Sequence, residues 1–310
     1  MNPYRLRAYL AILAATVIWG FAGPIIKYTL GGIDALSFLT YRFGLSSLVA
    51  VLSFIIFGLH LPHRPKTLLK LLFFALFTST ISLGFLFFGL EKTTVLDETI
   101  ITIINPLLIA TAGAYILKEH VTLREKIGMG IALLGTGFIV IEPIIQNGGD
   151  GTRLSGNILI VFYIMSTIIA SILAKQLLRE EVKPLTMTNS SFVIGFVSLL
   201  PFALAKYGAG GLTSTIQNLS LPYQLGVFYM ALLSGSLAYT LSHAGQKTIE
   251  IGEAAVFSYL YPLFAAPLAV YWLGEKITPT FILGGVIIAA GVIIAEYKKS
   301  KIAKQTQVSG

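Results

Sequence analysis

Residues 92–140 and 247–296 carry one pattern twice, and no other feature of the 310-residue chain limits its fold as much. Lys92, Thr93 and Glu98 recur 155 positions later as Lys247, Thr248 and Glu253. After a one-residue gap, Pro106, Leu107, Ala110, Tyr115, Leu117, Glu119, Thr122, Gly128, Ile131 and Gly135 recur 156 positions later. There they are Pro262, Leu263, Ala266, Tyr271, Leu273, Glu275, Thr278, Gly284, Ile287 and Gly291. Apolar sequences resemble one another by chance. Pro, Glu, Thr and Gly holding one order at one spacing is not an effect of composition. An offset near half the chain means one unit present twice.

The solvent of that unit follows from composition. The chain is 55% hydrophobic and 12% charged, with a mean hydropathy of +0.81. A water-soluble domain carries about twice that charged fraction, so lipid is the natural solvent. There is no Cys, which excludes disulfides, zinc thiolates and thiol catalysis. The net charge of +8 fits a bias of cytoplasmic loops better than an affinity for nucleic acid. The first apolar run contains Trp19 and flows into Gly23-Pro24 with no cleavage-site pattern, so it is expected to remain as a membrane anchor.

A helix needs about 20 mostly apolar residues to cross a bilayer. Ten stretches qualify, near 8–30, 35–59, 67–90, 95–117, 126–145, 156–178, 186–206, 223–244, 253–273 and 279–297. Polar turns at Leu61–Pro65 and Lys118–Lys126, and Gly-containing loops at Gln146–Gly151 and Tyr207–Leu221, separate some of them. With the N-terminus in the cytoplasm, 16 of the 22 Lys and Arg fall inside, 5 outside, and Arg42 within a span. That split predicts ten spans with both termini cytoplasmic, in the plasma membrane. Five spans per half is an odd number, so the second copy enters the membrane upside down. The expected fold is therefore all-α and integral to the membrane. Ten transmembrane helices form two inverted five-helix repeats around a central cavity, an architecture recurrent in secondary transporters. The expected divisions are 1–147, 148–298 and a basic cytoplasmic tail, 299–310.

The duplicated block carries a resemblance. Pro106, Lys118-Glu119-His120-Val121-Thr122, Gly128 and Gly135 stand in the first copy. Pro262, Gly274-Glu275-Lys276-Ile277-Thr278, Gly284 and Gly291 stand in the second. With Trp19-Gly20 and Tyr41-Arg42-Phe43, they make the chain similar to EamA-type permeases of the drug/metabolite transporter superfamily. The resemblance spans nearly the whole sequence. It implies a ten-helix metabolite transporter with a central cavity. Lys118 replaces the Gly274 of the second copy and alters only a turn.

The candidate site residues follow from the cost of polarity in lipid. Arg42 lies about eight residues into its span, where an unpaired guanidinium is expensive. It is expected either to clamp an anion or carboxylate or to bond backbone carbonyls or a nearby acid. Asn105 and Asn189 are uncharged polar groups at lipid depth and should face inward. His243 is the one His inside an apolar run and could relay a proton; a hydrogen bond to a neighbour explains it as well. Trp19, Tyr163, Tyr239 and Tyr259 are expected to wall the cavity, with Tyr41 and Tyr261 as further members. Glu98 and Glu253 open their spans; they either gain from the helix dipole or form coupling and gating sites. Pro106 and Pro262 are expected to kink their spans into the cavity. Glu119, Thr122, Glu275 and Thr278 read as caps for the spans that follow. The glycines of the fifth and tenth spans read as close packing, and Lys27 and Lys175 as side chains reaching the interface.

There is no phosphate-binding Gly-Lys-Ser/Thr loop, no His-Glu-x-x-His site and no nucleophile elbow in the sequence. No metal site and no cofactor are expected, and no catalytic residues. The expected function is export of small organic metabolites, such as amino acids or related amphipathic solutes, by alternating access around a midplane site. A membrane-embedded enzyme or lipid-handling protein is the alternative. The expected partners are a small-molecule substrate, the lipid bilayer and protons, but not nucleic acid, in a monomer or weak dimer.

Overall fold

The structure, a computed structural model, describes residues 3–58, 60–116, 123–147 and 151–296. All regular structure among the described residues is helical. Among the described residues, eight helices are long and apolar enough to cross a membrane: α1 (Tyr4–Thr29), α2 (Ala35–Phe57), α3 (Pro65–Lys92), α4 (Val95–Gly113), α5 (Lys126–Pro143), α6 (Gly151–Arg179), α7 (Pro184–Gln217) and α8 (Leu221–Thr248). Two shorter apolar helices follow, α9 (Val256–Tyr271) and α10 (Pro279–Ile294). Each falls on one of the ten apolar stretches. Glu119, Thr122 and the tail 299–310 lie outside the described residues, as does the Glu253 side chain.

The outer surface suits hydrocarbon. Ile55 is 75% exposed and Leu134 74%, and such side chains recur around the bundle. In water this area would favour association; in lipid it costs nothing.

Local chemistry sets the helix ends. Asp34 caps α2, its Oδ1 accepting from the N–H groups of Leu36 (3.1 Å) and Ser37 (3.2 Å), and Tyr207 donates to the same oxygen at 2.6 Å. Thr278 caps α10 by accepting from the Phe281 N–H at 3.0 Å. Glu275 does not join it there. Its two oxygens accept from the N–H groups of Val95 and Leu96, both at 2.8 Å, and so cap α4 in the other half of the chain. An orphan helix N-terminus is a better partner for a carboxylate than solvent-facing loop backbone. Burial holds the Glu275 carboxyl above its ordinary value of 4.5, and the two N–H bonds offset only part of that rise.

The spans are broken where the duplicated prolines stand. The helical run Val95–Thr102 ends before a turn at 103–104, and Pro106 lies in the first turn of Asn105–Ile116. A 3-10 segment, Val256–Leu260, precedes Tyr261–Tyr271, whose first turn holds Pro262. In a first turn the missing N–H removes no hydrogen bond, so each proline starts a segment. Elsewhere α3 contains a π-helical stretch, Leu76–Ser82, and α8 contains another, Tyr229–Leu237. Such widened turns gather at functional sites.

The loop expected over 207–221 is largely helical. Gly208 adopts φ 67°, a left-handed conformation that breaks α7, and the helix resumes to Gln217. Within that stretch the helix is interrupted at Gly208 and again over 218–220, before α8 begins at Leu221.

Helices α5 and α10 pack closely through glycine. A Cβ on Gly291 would lie 2.5 Å from the Ala132 nitrogen and 2.6 Å from the Gly128 carbonyl oxygen. Lys27 and Lys175, 148 positions apart, perform one task twice. Lys27 donates to the carbonyls of Leu90 (2.7 Å) and Thr93 (2.6 Å) at the end of α3. Lys175 donates to those of Gln246 (3.0 Å) and Ile249 (2.7 Å) at the end of α8. An ammonium there satisfies the last, unpaired carbonyls and the negative end of the dipole, so neither lysine simply reaches for the interface.

Glu180, just beyond α6, accepts from Thr67 and Lys70 of α3. These bonds, led by that from Lys70, hold its carboxyl below the ordinary value of 4.5. The sign follows from linkage: a depressed acid stabilises the fold above its unfolded value and loses that contribution as pH falls through the folded value. Glu180→Gln should therefore lower the melting temperature slightly at neutral pH, since a part-exposed pair contributes at most about 1 kcal/mol. The difference from the unsubstituted protein should vanish as pH falls below the carboxylate range. A difference that persists in acid would mean that the ion pair is not its source.

Candidate solute-binding site

A cavity of about 210 Å³ lies between helices drawn from both halves of the sequence. Thr16 and Trp19 of α1, Arg42 of α2, Thr78 and Ser82 of α3, and Glu98 and Asn105 of α4 border it. Tyr163 and Thr167 of α6, Tyr239, His243 and Gln246 of α8, and Ser258 and Tyr261 add to its polar and aromatic wall.

Trp19 donates from Nε1 to the Ser234 carbonyl, at 2.9 Å, in the π-helical stretch of α8. Its ring meets Tyr239 edge-on, with centroids 5.0 Å apart. Tyr239 in turn meets Phe192 at 5.6 Å and His243 at 6.0 Å. These contacts hold one aromatic face rigid. His243 Nδ1 shares a hydrogen bond with the Thr188 hydroxyl at 3.1 Å, and its ring meets Phe74 edge-on. Asn105 accepts from Thr167 at 3.2 Å, which fixes the break in α4 against α6. Glu98 also borders the cavity, and its Oε2 accepts from Thr99 at 3.4 Å. A Cβ on Gly23 would stand 3.3 Å from that oxygen, so the glycine gives the carboxylate room beside α1.

Arg42 is 0% exposed to solvent yet borders the cavity. The bonds to carbonyls or acids offered as one reading of the sequence are not made. The guanidinium lies instead over the rings of Phe43, Phe87 and Phe192, 5.4 to 5.9 Å from their centroids.

Three expected cavity residues, Tyr41, Asn189 and Tyr259, do not line it. Asn189 donates to the Ser53 hydroxyl at 3.0 Å and ties α7 to α2. Its inward face meets a neighbouring helix, where a polar group finds a partner without reaching the cavity. Tyr259 lies in the 3-10 segment, where the tighter turn presents its neighbours Ser258 and Tyr261 to the cavity instead. The sequence reading passed over Thr78 and Ser82. Their signal was available: Thr78-Ser79-Thr80-Ile81-Ser82 is a dense run of hydroxyls inside an apolar span.

A second polar cluster joins the halves outside the cavity wall. Arg153 at the start of α6 makes a two-pronged bond to Asp97, at 2.8 and 2.7 Å, and a third to Glu142 at 3.2 Å. Thr93 donates to Asp97 at 3.1 Å and Thr278 to Glu142 at 2.6 Å. Both carboxylates are fully buried. Paired and hydrogen-bonded in this way, they serve as a tether. Among the described residues, no group of three or more His, Cys, Asp or Glu is placed to hold a metal.

Residues 6–141 and 154–297 each match the EamA-like transporter family. The chain belongs to that family. Relatives of the EamA-like chain align over almost its full length. An uncharacterized transporter of Archaeoglobus fulgidus is 27% identical over 94% of this chain and 98% of its own. The uncharacterized transporter YyaM of Bacillus subtilis is 24% identical over 94% of both. A protein of Salmonella typhimurium named a probable amino-acid metabolite efflux pump is 26% identical over 99% of both. A crystal structure shares the fold, with a TM-score of 0.64 at 16% identity over 95% of this chain and 98% of that one. Family and apolar helices together make the EamA-like chain an integral, multi-pass membrane transporter.

Proposed function

We propose that the chain exports small organic metabolites, amino acids or related amphipathic solutes, by alternating access. One observation carries this reading: a cavity bounded by helices of both sequence halves, with a fixed aromatic face and polar groups aimed inward. A solute held there near the midplane would be exposed to each side in turn as the halves rock. The duplicated sequence supports ten spans in two inverted five-helix repeats, 1–147 and 148–298. The Lys and Arg distribution supports cytoplasmic termini in the plasma membrane. The name of the Salmonella relative supports efflux and an amino-acid-related cargo.

Trp19, Tyr163 and Tyr239 are assigned the apolar body of the solute, with Asn105 and His243 as polar contacts. Glu98 and Glu253 are the candidate coupling and gating acids. The breaks before Pro106 and Pro262 are assigned the flexing of the two half-helices.

Purified protein in proteoliposomes tests the transport reading. Counterflow of a labelled amino acid should saturate with concentration and be competed by unlabelled solute. A broad panel of amino acids and related metabolites that yields no exchange would sink the reading in favour of the enzyme or lipid-handling alternative.

A further inference from the structure

Arg42 poses a charge problem that the protein alone does not solve. None of Nε, Nη1 and Nη2 has a hydrogen-bond partner in the protein, although the side chain is fully buried. Among the described residues no carboxylate pairs with it. Burying an unpaired guanidinium is expensive, and the attraction of three phenylalanine rings offsets only part of that cost. Phe43, Phe87 and Phe192 surround the guanidinium, and the residue stands in the wall of the cavity.

Two further cavity groups share the deficit. The hydroxyls of Thr78 and Ser82 are buried without a partner. Their neighbour Ser79, on the same π-helical stretch, bonds back to the Ala75 carbonyl at 2.6 Å in the ordinary way. Thr78 and Ser82 keep their hydrogen-bonding capacity for something in the cavity.

We propose that Arg42, with the hydroxyls of Thr78 and Ser82, forms a pole that receives the carboxylate of a monoanionic or zwitterionic solute. The proposal rests on the transport reading for calling that ligand a solute. An anion both bonds these donors and cancels the charge, which a neutral partner cannot do. A carboxylate offers two coplanar oxygens to the guanidinium fork and one negative charge to its one positive charge. A phosphate dianion brings excess charge into a cavity that also holds Glu98. An amine without a carboxylate leaves Arg42 uncompensated and adds a like charge.

The test is ligand binding by the full chain in detergent, read as thermal stabilisation against concentration. The probes are 3-phenylpropanoate and its neutral isostere 3-phenylpropanamide. The acid should bind about tenfold or more tightly than the amide, the scale of one charge-assisted bond. Arg42→Gln should reduce that preference to about threefold or less. Arg42→Lys keeps the charge but loses the fork, and should fall in between even if the Gln variant does not fold. Thr78→Val with Ser82→Ala should weaken acid binding about threefold or more and leave amide binding unchanged. Equal affinity for acid and amide, no binding of the acid, or an acid preference that survives in both Arg42 variants overturns the proposal. Unchanged acid binding in the hydroxyl variant removes Thr78 and Ser82 from the pole. Tighter binding of phenylphosphonate, or displacement of the acid by phosphatidylserine, overturns the assignment to a carboxylate solute. Acid preference without counterflow would fail the transport reading alone; counterflow without acid preference would fail this pole alone.

Discussion

Arg153→Met is expected to destabilise the fold by about 3–5 kcal/mol, the cost of removing one partner from a buried ion pair. Arg153 is the cation between Asp97 and Glu142, both fully buried. Its removal leaves two carboxylates in each other's field, with the Thr93 and Thr278 hydroxyls still donating to them. The sharper part of the expectation is the rescue. A triple variant, Arg153→Met with Asp97→Asn and Glu142→Gln, leaves no buried charge behind and should recover most of the loss, because a neutral replacement of the whole cluster avoids the desolvation cost. Melting temperatures in one detergent, for the single and triple variants side by side, check both statements. A triple variant as unstable as the single one would mean that packing of the arginine stem, and not charge, is what Arg153 contributes.

The second large effect concerns glycine. Gly291→Ala adds one methyl group at 2.5 Å from a backbone nitrogen and 2.6 Å from a carbonyl oxygen. Backbone cannot step aside as a flexible side chain can, so α5 and α10 must separate. Overpacking of this kind costs about 1–3 kcal/mol. Gly130→Ala, on the same pair of helices, meets nothing within 4 Å. It should be neutral or stabilising by up to about 1 kcal/mol, through helix propensity alone. Thermal unfolding of the two variants beside the unsubstituted protein separates them; equal effects would contradict the packing described.

Sequence could not make that distinction. It grouped Gly128, Gly130, Gly135, Gly137, Gly284, Gly285 and Gly291 as one small face, because spacing reports which residues share a helix and not how far the helix has rotated. Ten apolar runs and two proline breaks were legible, since bilayer thickness and proline's preference for a helix's first turn act on residues in sequence order. The cap that Glu275 places on α4 was not legible, because a carboxylate beside Thr278 looks like a local cap until tertiary structure supplies a nearer helix end. The tether was hidden for another reason. At the positions corresponding to Asp97, Glu142 and Arg153 the other copy has Gly252, Lys298 and Arg5, so comparison of the halves discards the first two as divergence. Arg42 was found from its cost in lipid. The cavity hydroxyls of Thr78 and Ser82 were missed because serine and threonine in a membrane helix usually bond back to their own backbone, as Ser79 does.

The chain has two tryptophans, and the fold gives them unlike surroundings. Trp19 borders the cavity with its indole N–H fixed on Ser234, whereas Trp272 stacks on Tyr28 with centroids 4.8 Å apart. The protein thus carries two intrinsic fluorophores at separate stations. With Trp272→Phe, the remaining emission reports occupancy of the cavity; with Trp19→Phe, it reports contact between the end of α1 and the segment after α9. Arrival of a solute and movement of the helices become separable optical signals, and their order in time can be read without attaching a dye.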